Sequence, residues 1–320
     1  HIIPIEPNQK EEIDSALVVK EGDYSIVNMN DCNYSESQLN NILDCADNNI
    51  DIALMNYTPA SSYPQCYLFN ENQMKHHIRI IQDIYYNKFE KMRQKLSAKI
   101  SIPFAGQYCL GGPNYKLNND LGVLDAVEIA KRSENTLVLD ELGSIDTLSL
   151  KASKERKKIY DIKKIYDSVI NHKLKNYEFS EIDAPTMDEI SFHSIEAITG
   201  LFRNTNFNET FNFALLIENS HKSYLINFLN CPHINTINKE IIEGIPSLKN
   251  VRNNHKLIQD EMDYLLIGVN YKLMWGILNG KFHWNNVYVG SLAKYDRYPE
   301  FKHRKDIFDA LNFMRPIKKL

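Results

Sequence analysis

Residues 29–33 read Met-Asn-Asp-Cys-Asn and follow the β-rich run from Leu17 to Val27. Asp31 has the type and place of a metal-binding carboxylate at a strand end. It is also the residue expected in an Asx-type turn, the reading that the residues alone favour. Two further polar or glycine-bearing clusters also follow strand-like runs. Ser61, Ser62 and Tyr63 lie in the loop TPASSYP behind IDIALMNY. Their hydroxyls suit hydrogen bonds to a substrate, or a capped proline loop ahead of a helix. Gly106 closes the run AKISIPFAG, and Gly111 and Gly112 come shortly after. Backbone without Cβ lets a ligand approach closely, and permits tight packing just as well.

The ten histidines stand at 1, 76, 77, 172, 193, 221, 233, 255, 283 and 303. No His-x-His-x-Asp-His, HExxH, nucleophile elbow or phosphate-binding glycine loop occurs among them or elsewhere. His76 and His77 are adjacent at a helix start, so their side chains diverge and surface positions are expected. The five cysteines (32, 45, 66, 109 and 231) form no CxxC. Free thiols in a reducing, cytoplasmic setting are expected. Cys231-Pro232-His233 is the sole Cys-x-His and has no Cys-x-x-His beside it, so no Rieske cluster is expected.

These residues need positioning elements. The chain has 320 residues, 43% hydrophobic and 24% charged, with a net charge of −4. That suits a globular chain with a sizeable core and argues against a nucleic-acid partner, which needs a basic stripe. No run approaches the roughly 18 apolar residues of a membrane span. Residues 15–20 and 24–29 read as a hairpin around KEGD, and 35–48 as a short helix with a serine start. After the strand 50–57, Ile78, Ile81, Tyr85, Phe89, Met92 and Leu96 follow Met74 at spacings of three and four, one stripe of a long helix. A strand at 98–106 comes next. This is α/β alternation, with polar loops after strands, where such folds place their sites. Residues 121–133 look helical. The basic run KASKERKKIYDIKK (151–164) reads as a solvated helix face and a boundary. Beyond it, NFALLIEN and YLINFLN form a hairpin, YLLIGV a strand, and a helix stops near Gly280. In HWNN, Trp284 is expected to be buried and Asn285 or Asn286 to start a helix.

Several stretches together resemble one family. DSALVVKEGDYSIVNMNDCN (14–33) is similar to the strand–strand–Asp segment in the second half of metallo-β-lactamase folds. NYTPASSYPQCY, the 74–97 helix and ISIPFAGQY follow in the order of the CMP-N-acetylneuraminate hydroxylase branch, and residues 277–316 resemble that branch's tail. The resemblance implies an α/β (α+β) chain. Residues 1–150 would be the second half of an αββα sandwich, and 151–320 a smaller α+β extension that resembles sterol-carrier-like domains. It implies a zinc or iron centre with Asp31 as bridging ligand, and a substrate pocket formed by Ser61, Ser62, Tyr63, Gly106, Gly111 and Gly112. Departures are plain: after PFAG comes QYCLGGPNY, with no histidine. The remaining ligands are expected from a segment upstream of His1.

The expected function is a metal-dependent hydrolase or oxidoreductase acting on a small molecule such as a sugar or nucleotide-sugar. The alternative is a non-catalytic binding or assembly module with a degenerate metal site. Half a sandwich leaves one sheet face open, so an N-terminal half or a partner chain is expected to cover it.

Overall fold

Local sequence signals start and stop the elements. Ser35 accepts from the Gln38 N–H while the Gln38 side chain accepts from the Ser35 N–H, a reciprocal cap that starts helix α1 (Glu36–Cys45). The same device sets Asp125 and Glu128 at α3 (Ala126–Arg132), and Thr186 and Glu189 at α4 (Met187–Asn204). The computed structural model describes residues 2–4, 15–32, 34–59, 61–161, 164, 177–254, 262–300 and 302–314. It is a mixed α and β protein with two five-stranded mixed sheets.

The chain divides into two compact units. One comprises His1–Ala60, Gln73–Cys109 and Asp120–Asn171, the other Ser61–Asn72, Leu110–Asn119 and His172–Leu320. The division falls at 171/172 rather than 150/151, and it is discontinuous.

In the first unit the sheet order is β1-β2-β3-β4-β5. β1 (Ile2–Pro4), β2 (Ser15–Glu21) and β3 (Tyr24–Asn28) are antiparallel neighbours. Gly22, at φ +57, sits first in the two-residue turn between β2 and β3, a position that demands positive φ. β4 (Ile52–Asn56) runs parallel to β3, and β5 (Ile100–Phe104) parallel to β4. One face carries Val18, Val27, Ala53 and Met55. It packs on Leu39 and Ile42 of α1, on Ile129 of α3, and on Phe89, Met92 and Leu96 of the long helix α2 (Glu71–Leu96). Register places Leu17, Val19, Ile26, Ile52, Leu54, Ile100, Ile102 and Phe104 together on the other face. Leu137, Leu139, Ile145 and Leu150 cover its β4–β5 half. Towards β2 the cover is incomplete among the described residues: Leu17 is 44% and Val19 49% exposed.

Residues 136–155 form this cover through isolated bridges, Ser101 to Thr136, Leu139 to Glu155 and Ile145 to Ala152. The stretch 151–161 is therefore not the expected helix. Main-chain pairing of Ala152 and Glu155, and burial of Arg156, override its helical spacing. Residues 162 and 163 lie outside the described residues.

In the second unit the sheet order is β10-β9-β6-β7-β8. β6 (Phe211–Glu218), β7 (Lys222–Cys231) and β8 (Thr236–Glu243) form an antiparallel meander. After helix α5 (Leu248–Asn254), β9 (Tyr264–Asn270) lies parallel to β6, and β10 (Lys294–Tyr298) antiparallel to β9. α4, α6 (Tyr271–Leu278), α7 (Trp284–Val289) and α8 (Lys305–Asn312) share one core with Phe213, Leu215, Ile226, Phe228, Leu265 and Ile267. Leu248 and Val251 of α5 pack with Leu216, Leu225 and Leu266 on the opposite face. Burial on both faces explains the near-continuous apolar runs FALLI and YLLIGV. Trp284 is buried as expected, but the cap of α7 is His283, whose ring accepts from the Asn285 N–H. Tyr67 bridges Tyr295, with Leu68 N–H donating to the Tyr295 carbonyl and Tyr295 N–H to the Cys66 carbonyl, each at 2.9 Å. Residues 66–68 thus extend the second unit's sheet beyond β10, which is why 61–72 belong to this unit.

Candidate functional site

Asp31 lies on an exposed turn just past β3. Asn30 has φ +52 and its N–H donates to Asn28 Oδ1 at 2.9 Å, the Asx-turn arrangement. A zinc or iron ion needs three or four converging donors. Among the described residues, no group of three His, Cys, Asp or Glu is placed to hold a metal ion. The donor set around Asp31 therefore does not fit a metal centre supplied by these residues alone. His77 departs from its expected surface position: it is fully buried while His76 is exposed, as a 100° step on α2 requires. Cys231 is buried, with its thiol pushed up to about 12 by burial, whereas His233 is exposed. Cys66 is likewise pushed up to about 11 by burial. Neither thiol has the depressed value of a reactive nucleophile.

A polar constellation of the first unit stands beyond the carboxyl ends of β4 and β5, where parallel strands present ligand sites. The Thr58 hydroxyl donates to the Gly106 carbonyl, and Asn56 Oδ1 accepts from the Thr58 N–H at 3.2 Å. Gly106 lies so close under the Tyr57 ring that a Cβ there would meet it at 2.4 Å. Its missing side chain therefore serves packing.

Next to this pair stands Asp125, 6% exposed. Oδ1 accepts from the Val127 N–H at 2.8 Å and Oδ2 from the Tyr160 N–H at 3.1 Å and Gln107 Nε2 at 3.2 Å. Both terminal nitrogens of Arg156 close on the carboxylate, at 3.0 and 3.3 Å. The Arg156 guanidinium also lies 3.7 Å over the Tyr160 ring. Burial, and then the Asp125 charge, push the Tyr57 phenol well above its usual range. With five donors on one carboxylate, Asp125 has no lone pair left for general-base work. The arrangement is a latch: it caps α3 and ties the irregular stretch 156–160 to it. Sequence reading passed over Asp125 and Arg156. Two signals pointed to them: the Asp-x-x-Glu cap, and a single arginine in an otherwise lysine-only basic run.

The other expected pocket residues belong to the second unit, apart from Asp31 and Gly106. Ser61 Oγ donates to the Tyr288 hydroxyl at 3.1 Å, and Ser62 Oγ to the Tyr288 carbonyl. Gln65 Nε2 reaches Ser291 Oγ at 3.0 Å. The Tyr63 ring lies beneath the Arg297 guanidinium at 4.7 Å, with Tyr67 4.8 Å from the same group. The Tyr177 hydroxyl donates to the Gly111 carbonyl at 3.2 Å, and Gly112 takes φ +62 at the start of a 3₁₀ turn. These groups hold 61–69 and 110–119 onto the unit's own sheet. Their hydrogen-bonding capacity goes into anchoring. Comparison with protein families, curated proteins and solved structures finds no match to this chain.

Proposed function

We propose that the chain is an assembly module. Its first unit is one half of a two-sheet sandwich of the metallo-β-lactamase type, and a second sheet covers its open face. The observation that carries this reading is the face made by Leu17, Val19, Ile26, Ile52, Leu54, Ile100, Ile102 and Phe104 in register across four strands. A face meant for water alternates to polar residues, and this one is apolar throughout its centre. Residues 137–150 cover the β4–β5 half, leaving Leu17 and Val19 half-exposed among the described residues and Leu148 73% exposed. The latch at Asp125 and the solitary Asp31 fit a degenerate site. The sterol-carrier-like reading of the second unit has the required helices over a sheet, but Phe202, Phe213 and Phe228 fill that interval.

A second reading rests on the position of Asp31 beyond the carboxyl end of β3, a strand paired in parallel with β4. A partner that supplied imidazoles there would complete a zinc or iron hydrolase or oxidoreductase, for which sugar-like substrates follow from the family resemblance.

Carbene footprinting of the protein isolated from its own cells is expected to find Leu17 and Val19 shielded, and of the isolated chain to find both labelled. The Leu17→Lys/Val19→Lys variant is expected to fold with an unchanged melting temperature. Free labelling of both residues in the native preparation would remove the assembly reading. Stoichiometric zinc or iron in that preparation would favour the enzyme.

A further inference from the structure

β8 ends one side of the second unit's sheet. It pairs with β7 along its full length, Thr236 to Leu229 through Glu243 to Lys222. No strand lies on its other side among the described residues. Edge strands are usually short, bulged or covered, because an open row of N–H and C=O groups invites another strand. β8 has eight residues in unbroken register and is exposed along most of its length. Ile241 is 59% exposed, and Ile245, just past the strand, is 54% exposed.

We propose that β8 pairs antiparallel with β8 of a second copy, about a twofold axis through Ile241. Such an axis stands perpendicular to the sheet and keeps each face on its own side, so opposed residues share a face. Only registers centred on a residue are then allowed. Centring on Lys239 opposes two lysines, and centring on Glu240 opposes two glutamates. Centring on Ile241 sets Lys239 opposite Glu243 of the second copy, twice by symmetry, and Ile241 opposite itself. On the other face it sets Glu240 opposite Ile242, with no like charges opposed. Lys239 is the residue that would otherwise guard this edge. It is drawn onto the sheet's helix-covered face instead, with Nζ 5.0 Å from the Tyr224 ring and 3.2 Å from Asp188 Oδ1. Glu243 of the second copy reaches the same face.

Sedimentation of the full chain tests the pairing, with Ile241→Lys and Glu243→Lys as variants at exposed positions. A dimer is expected for the native chain, weakened at least about tenfold by either variant. The Lys239→Glu/Glu243→Lys exchange reverses each pair between the copies and is expected to recover part of what Glu243→Lys alone loses, the rest going to the broken Lys239–Asp188 pair within the chain. Opposed antiparallel residues bring their Cβ atoms to roughly 4.5–5.5 Å. Ile241→Cys in a Cys109→Ser background is therefore expected to form an interchain disulfide on mild oxidation. A native chain that stays monomeric at several hundred micromolar would overturn the proposal. So would a dimer indifferent to both lysine variants, or one abolished by Leu17→Lys/Val19→Lys instead.

Discussion

Asp125 holds its place through charge and hydrogen bonds together, and its loss leaves the Arg156 guanidinium, 8% exposed, without its hydrogen-bonded carboxylate. Asp125→Ala is expected to cost about 3–5 kcal/mol in chemical unfolding, the scale of a broken buried pair. Asp125→Asn keeps the acceptor for the Val127 N–H and is expected to lose less. Equal losses would mean that the charge contributes nothing. Asp51 gives a second residue-scale outcome, this one in pH. Burial pushes its carboxyl up, but Lys99 Nζ at 2.7 Å and the Ser25 N–H at 2.8 Å outweigh burial and hold it below the ordinary carboxylate range. A depressed folded value means that its stabilisation is complete above the unfolded value of about 3.9 and is lost as pH falls through the folded one. Asp51→Asn is therefore expected to be less stable at neutral pH and to show a flatter decline below about pH 4. An acid limb identical to the native one would remove Asp51 from that account.

At the scale of elements, the segments that leave β4 and β5 meet at Tyr57 and Gly106. Gly106→Ala forces a Cβ into the Tyr57 ring and is expected to cost about 1–3 kcal/mol as overpacking. Trimming the ring with Tyr57→Leu should recover part of that loss in the double variant. Strictly additive losses would show that the two do not press on one another. The elements themselves were largely legible. Alternation marked β2 and β3, the three-and-four spacing marked α2, and the apolar runs marked β6, β7 and β9. The basic run was misread because Lys and Glu spacing scores as helix whether or not the main chain is claimed elsewhere. The bridges of Ala152 and Glu155, and the reach of Arg156 to Asp125, are long-range facts with no local mark. The serines at 61 and 62 were legible as loop hydroxyls, but their partner Tyr288 lies more than 200 residues away.

For the whole molecule, sequence reading divided the chain once, at 150/151, whereas the two compact units share it discontinuously. Composition shifts mark a linker, whereas nothing in residues 61–72 or 110–119 announces that they pack with the second unit. The apolar outer face of the first sheet was foreseen from the family resemblance. Its partial cover by residues 137–150 was not, because that stretch has too few regular apolar repeats to be read as a layer. The assembly reading and the β8 pairing rest on different units and different surfaces, so each stands or falls by its own variants.

Residues 66–68 line the last strand of a sheet whose other members come mostly from the final third of the chain, and Gln65 meets Ser291 across 226 positions. At a synthesis rate of about 5–20 residues per second, this piece leaves the ribosome on the order of ten to fifty seconds before its neighbours exist. Through that interval Tyr63, Tyr67 and Phe69 have one another but not the Tyr295 ring that Tyr67 stacks on, and a nascent chain halted before Tyr295 offers them to chaperones or to aggregation.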